Sequence, residues 1–360
     1  MEGDYIDAGA AAGNWPGMKI LVRATNWVGD AIVSIPALAA IRSRWPEAEI
    51  TVLARAWVAD LYANSGLAHS SIVLPAVGAR EGHSRALDEI RSRRFDRAIL
   101  FPNSFHAAWV AWRAGIPERI GYARDGRSAL LTQAVAVPKP GEIPDHEVYY
   151  YLDLIRRAGW LDALPNIEEI RLPIAAAAIA AGHERLEAAG ARKGKLRIAF
   201  GPGAAYGSAK CWPPERFAEL GDRLIADCDA DVILFGTVSE RETTERIAAR
   251  MRHSPVNLSG QTTIGDLPSL FAACSLFIGN DSGAMHVAAA AGLPVVAIFG
   301  PTDADGTAPL TRNGVLVSRN VSCAPCFLRH CPIDHRCMER IEVDAVYAAA
   351  LLSLENMNGG

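Results

Sequence analysis

Residues 274–300 read CSLFIGNDSGAMHVAAAAGLPVVAIFG, and the fold can be read outward from them. An apolar run, CSLFI, gives way to a polar turn, then to an alanine-rich stretch closed by Gly292, then to a second apolar run, PVVAIFG. Short apolar runs bounded by turn formers and joined through one helix predict a parallel βαβ unit. Asn280, Asp281 and Ser282 are residue types that cap helices, and Gly283 lacks the Cβ that would keep another backbone or a ligand away. A helix starting there presents unpaired amides to an anion; the same residues also suit a well-capped helix with no ligand. His286, one turn further on, reads equally as a site residue or a packed histidine.

The same alternation runs along the chain. MKILVRA, EITVLAR and DRAILFPN (96–103) are strand-like in the first half, while LRIAFGPG and DVILFG join the opening pair in the second. Helical stretches lie between them, such as AIVSIPALAAIRSRWP and FHAAWVAWRAG. The expectation is an α/β protein of two Rossmann-like, doubly wound domains. A tail is expected over residues 1–17, a first domain over 18–185 and a second over 186–340. The last segment, 341–360, is read as a helix able to pack back on the first domain.

With 360 residues, 50% of them apolar and 21% charged, the chain is long enough for two cores. A net charge of −4 gives no basic field for nucleic acid. No run of about 18 apolar residues exists to span a membrane, and the acidic N-terminal stretch does not read as a signal peptide, so a cytoplasmic location is expected. Cys211, Cys228 and Cys274 are scattered. Cys323, Cys326, Cys331 and Cys337 cluster with gaps of two, four and five residues, which match no zinc ribbon; a metal held there is expected to be structural and away from the chemistry.

In open α/β sheets, ligands gather at the carboxyl ends of strands, so the polar tips carry the functional reading. GPGAAYGSAKCWPP (201–214) places three glycines, Tyr206, Ser208 and Lys210 before a Pro-initiated helix, an arrangement suited to a phosphate with a point-charge cation. A flexible loop with a solvated lysine is its plain alternative. Neither a Walker A sequence nor a dinucleotide glycine fingerprint occurs, which disfavours a dinucleotide oxidoreductase. In TNWVGD, Asp30 opens a helix and reads either as a dipole-stabilised acid or as a general base.

Taken in order, RATNWVGDAIVSIPAL, LFPNSFHAAWVAWRAGIPERIGY, GPGAAYGSAKCWPPERFAEL, FGTVSERE and GNDSGAMHVAAAAGLPVVAIFGPT closely resemble the bacterial ADP-heptose:lipopolysaccharide heptosyltransferases of glycosyltransferase family 9, in their heptosyltransferase II branch. The resemblance implies a GT-B fold whose two domains face a central cleft. It also implies inverting, metal-independent transfer from ADP-L-glycero-D-manno-heptose to the inner-core heptose I of lipopolysaccharide. Asp30 then matches the base, and Lys210 the lysine at the donor diphosphate. Asp281, Ser282, Gly283 and His286 match the donor segment. Tyr206, Ser208 and Glu240 are further donor candidates, and Asn26, Trp27, Asn103, Ser104 and Arg119 are acceptor candidates. The partners implied are the ADP-sugar, a lipid A-core acceptor and peripheral contact with the cytoplasmic face of the inner membrane. A GT-B transferase for another nucleotide-sugar, or a non-catalytic nucleotide-sugar or glycan binder, are the alternatives.

Overall fold

A computed structural model describes residues 17–75 and 80–358; the expected tail falls almost wholly outside them. The chain divides into two units, with the break between Ile167 and Glu168 rather than near residue 185. The first unit holds β1 (Lys19–Arg23), β2 (Glu49–Arg55), β3 (Ser70–Leu74), β4 (Arg97–Leu100), β5 (Glu118–Tyr122) and β6 (Gln133–Val135). They form one parallel sheet in the order β3-β2-β1-β4-β5-β6. The second unit repeats the plan with β7 (Arg197–Gly201), β8 (Asp231–Leu234), β9 (Val256–Asn257), β10 (Leu276–Asn280), β11 (Val295–Phe299) and β12 (Gly314–Ser318). Their order is β12-β11-β10-β7-β8-β9, again all parallel.

The central strands read as nearly unbroken apolar runs, as expected for a parallel sheet covered on both faces. All of β7, β10 and β11 is buried. The strand order matters more than the strands themselves. In each sheet the chain reverses direction of winding beside its first strand, so the tip of β1 lies next to that of β4, and the tip of β7 next to that of β10. Such switch points open a crevice in which loops from both sides meet.

Two helical expectations change in detail. The stretch AIVSIPALAAIRSRWP forms two helices, Val28–Val33 and Ile35–Arg44, parted at Ser34. Pro36 has no N–H to continue the first helix, and it suits the opening turn of the second. The C-terminal helix, Val343–Asn358, packs on the helix Pro214–Cys228 and on β10, β11 and β12. The expectation that it returns to the first half is therefore corrected: its apolar face completes the second core through Val346, Ala350 and Leu354. Trp212 ties this end of the chain to the loop that follows β7. Its ring is 1% exposed, its Nε1 donates to the Ile341 carbonyl at 2.9 Å, and it meets Phe217 edge-on at 5.0 Å.

Candidate functional site

In the second unit, the tips of β7 and β10 meet through a short ion pair. Lys210 Nζ lies 2.5 Å from Asp281 Oδ2, and the Thr302 hydroxyl donates to the same oxygen at 2.6 Å. Both charged side chains are largely buried. Asn280, fully buried, fixes the two loops to one another: its Oδ1 accepts from Trp212 N at 3.0 Å, and its Nδ2 donates to the Pro202 carbonyl at 2.6 Å. Beyond it, the helix Gly283–Ala290 begins at Ser282. The Ser282 hydroxyl does not cap that helix and has no partner, although it is buried. A buried hydroxyl without a partner is costly unless a ligand oxygen completes it. His286 lies buried on this helix.

The cysteine-bearing segment, expected to lie away from the chemistry, packs against the loop that carries Lys210. Tyr206 donates its phenol to the Phe327 carbonyl at 2.6 Å, and Ala209 N donates to the Arg329 carbonyl at 3.0 Å. Ser208 Oγ is 2.9 Å from His330 Nδ1, and His335 Nε2 is 2.7 Å from the Ala209 carbonyl. Gly207 is required here, since a Cβ would stand 2.2 Å from the Arg329 carbonyl oxygen. All four cysteines of the segment are free thiols; Cys323 and Cys326 are exposed and Cys337 is buried. Burial pushes the Cys337 thiol up, and its three neighbours add to the effect. Among the described residues no three His, Cys, Asp or Glu side chains gather as a metal would need.

Glu240 has a structural duty. Its carboxylate accepts from Thr237 N at 2.8 Å and from the Thr237 hydroxyl at 2.9 Å, closing a capping box. The same carboxylate leaves no room for a side chain at position 203 of the loop, where a Cβ would lie 2.0 Å from Glu240 Oε1. It therefore borders the phosphate-type loop while holding its own turn.

In the first unit, Asp30 lies in the first turn of Val28–Val33, beside the tip of β1. Two buried phenols, Tyr62 and Tyr151, sense its charge and are pushed up, chiefly by burial and then in part by Asp30. Asn26 is fixed by Arg23, whose Nη2 donates to its Oδ1 at 2.7 Å, while Trp57 Nε1 donates to its carbonyl at 2.7 Å. Trp27 is 49% exposed. At the tip of β4, Asn103 Nδ2 donates to the Tyr150 hydroxyl at 2.9 Å, and Ser104 caps the helix Phe105–Arg113 by accepting from Ala107 N.

A cavity of about 490 Å³ opens beside Asn103, lined among others by Arg124, Lys139, His146, Tyr150 and Tyr151. Beneath its rim the fully buried Arg127 donates to the carbonyls of Tyr122 and Pro102. Arg119 does not join this edge. It occupies the start of β5, at the opposite end of a parallel strand, and its guanidinium donates to the carbonyls of Leu130, Ile116 and Pro117. An arginine so satisfied is a brace for a turn, which corrects its assignment to the acceptor.

A profile of "Glycosyltransferase family 9 (heptosyltransferase)" matches residues 84–336, more than half the chain. The chain belongs to glycosyltransferase family 9. Within family 9 it is 34% identical to lipopolysaccharide heptosyltransferase 2 of Escherichia coli K12, over 83% of this chain and 88% of that protein. Its structure is similar to that of E. coli ADP-heptose LPS heptosyltransferase II, with a TM-score of 0.81, 29% identity, and coverage of 95% of this chain and 100% of the other. A family 9 glycosyl transferase from Veillonella parvula shares the fold at a TM-score of 0.83 and 21% identity, covering 96% of this chain and 99% of that one. The expected α/β architecture and the resemblance to the heptosyltransferase II branch are thereby both met.

For a family 9 member, several residues at these edges went unread in the sequence. Thr302 and Arg329 are brought to the Lys210 loop only by folding. Arg23 and Arg55 end β1 and β2, are both buried, and make no carboxylate ion pair among the described residues. Burial, and then Arg55, lowers the Arg23 guanidinium to about 10. Arginine as the last residue of a buried strand was the available signal, because a buried charge with no counter-charge is uncommon in a core.

Proposed function

We propose that this chain transfers a heptosyl residue from ADP-L-glycero-D-manno-heptose to the inner-core heptose I of lipopolysaccharide, with inversion. The observation that carries the reading is the meeting of Lys210, Asp281, Thr302 and the unpartnered Ser282 hydroxyl at the switch point of the second sheet. Cation, hydroxyl and helix amides there suit a diphosphate. The names of the relatives supply the sugar and the nucleotide.

In this mechanism the acceptor hydroxyl attacks the anomeric carbon while Asp30 takes its proton, and the bond from that carbon to the diphosphate oxygen breaks. The products are the new glycosidic bond, ADP and a protonated Asp30. Charge growing on the departing diphosphate is met by Lys210 and by the amides at the start of Gly283–Ala290. No divalent metal is assigned a step, so turnover is expected to persist in EDTA. On the acceptor side, Asn26, Asn103 and the cavity lined by Tyr150 and Tyr151 offer sugar-sized room, while Arg23 and Arg55 supply positive charge for an anionic core.

Peripheral contact with the cytoplasmic face of the inner membrane belongs to the same reading, because the acceptor is lipid-linked. Among the described residues no helix is long and apolar enough to cross a membrane. Phe105, Trp109 and Trp112, spaced i, i+4 and i+7 on one helix, are 50%, 37% and 48% exposed. Arg113 beside them makes no ion pair among the described residues, so this face suits an anionic lipid surface.

The test is calorimetry with ADP, UDP, GDP and NAD, followed by transfer from ADP-heptose to a heptose I acceptor. Selective ADP binding with transfer supports the reading. Preference for another nucleotide leaves the fold and overturns the donor; binding of none favours a non-catalytic glycan binder.

A further inference from the structure

Lys210 alone is a weak answer to a diphosphate. Its ammonium already faces the Asp281 carboxylate at 2.5 Å, so the pair brings little net charge to the loop. A nucleoside diphosphate leaving a sugar is multiply anionic, and its stabilisation calls for a further cation at hand. The loop of residues 203–210 contains no second lysine or arginine.

The cysteine-bearing segment carries one. Arg329 sits with its guanidinium carbon 5.1 Å from the centre of the Tyr206 ring, and Lys210 Nζ is 5.0 Å from the same centre. Tyr206 therefore gathers two cations that lie 119 positions apart. Arg329 makes no carboxylate ion pair among the described residues and is exposed, so its five N–H donors remain available.

The backbone beneath it is pinned. Its own carbonyl accepts from Ala209 N at 3.0 Å, and the Phe327 carbonyl accepts from Tyr206 at 2.6 Å. The Pro301 carbonyl accepts from both Cys326 N and Phe327 N at 2.9 Å. Gly207 lets the segment lie directly on the loop. The position is thus held from two sides, and the guanidinium rests over Tyr206, pre-positioned as a ligand-facing arginine requires.

We infer that Arg329 is a donor-binding residue, which the segment of residues 323–337 lays over the Lys210 loop to supply the second positive charge for the diphosphate. This rests on the reading of the donor as a nucleoside diphosphate sugar. Stacking on Tyr206 orients the planar guanidinium, which suits two-point bonding to phosphate oxygens better than an ammonium does.

Calorimetry of the full chain with ADP, AMP and adenosine tests it, using Arg329→Ala and Arg329→Lys. The expected result is a loss of roughly ten-fold or more in ADP affinity for Arg329→Ala, the range of a charge-assisted bond, with adenosine affinity unchanged and partial recovery in Arg329→Lys. Acceptor KM stays at the wild-type value. Wild-type ADP affinity in Arg329→Ala overturns the inference. Equal losses for ADP, AMP and adenosine also overturn it, since they report a displaced segment and not a lost charge. If the wild-type protein binds no ADP, the donor reading itself fails and this inference falls with it.

Discussion

Lys210 and Asp281 stand 71 positions apart in the chain, and their side chains meet at 2.5 Å where β7 and β10 run side by side. The cation of the proposed donor site is thus held by a carboxylate of its own protein, and in that proposal each group sets the other's effect on a bound diphosphate. Lys210→Ala leaves Asp281 as a buried anion facing the diphosphate. Its ADP affinity should fall further than that of the Lys210→Ala/Asp281→Ala double variant, a non-additivity of about 0.5–3 kcal/mol. Calorimetry of the four proteins measures it; simple additivity would show that the pair does not act as a unit.

Asp30 makes a different prediction, because its proposed role concerns the acceptor alone. Asp30→Asn keeps the size of the side chain and removes the base. Turnover should fall by roughly 10²–10⁴-fold, while ADP affinity is unchanged. Near-normal turnover would remove Asp30 from the mechanism.

His106 gives a pH dependence whose sign is fixed by its surroundings. Burial, then His83, Arg23 and Arg55, lowers its pKa below the ordinary value of 6.5. Between the lowered value and 6.5 the unfolded chain binds more protons than the folded one, so stability rises with pH through that window and is lost as pH falls through it. Thermal unfolding of the first unit should therefore shift down on acidification from pH 6.5. His106→Gln should flatten the dependence, and an unchanged slope would assign it to other groups.

The exposed aromatic face of Phe105–Arg113 predicts lipid binding without involving the transfer chemistry. Trp109→Ser/Trp112→Ser should lower co-sedimentation with phosphatidylglycerol vesicles by roughly an order of magnitude. Transfer to a delipidated, soluble acceptor should be retained. Unchanged vesicle binding would assign the membrane contact elsewhere, and a shift from dimer to monomer in the variant would identify this face as a contact between copies of the chain.

The sequence by itself determined the two alternating α/β halves and the polar strand tips that carry Asp30, Lys210 and residues 281–286. These are legible because strand and helix periodicity, caps and turn glycines are local: each is written within a dozen residues. Only tertiary structure decided which tips face each other. The pairing of β7 with β10, which joins Lys210 to Asp281, follows from crossover topology, a property of whole βαβ units that no short stretch records. For the same reason Arg119 read as a site residue: its strand was visible, but not that it sits at the strand's start with its donors on three carbonyls. Glu240 read as a donor candidate, and only the structure shows that its carboxylate also closes the turn at Thr237, a use that the residue type alone leaves open. Arg329 was invisible because its segment forms no regular element that periodicity could detect, and it reaches Tyr206 through main-chain bonds that any residues in its place could make.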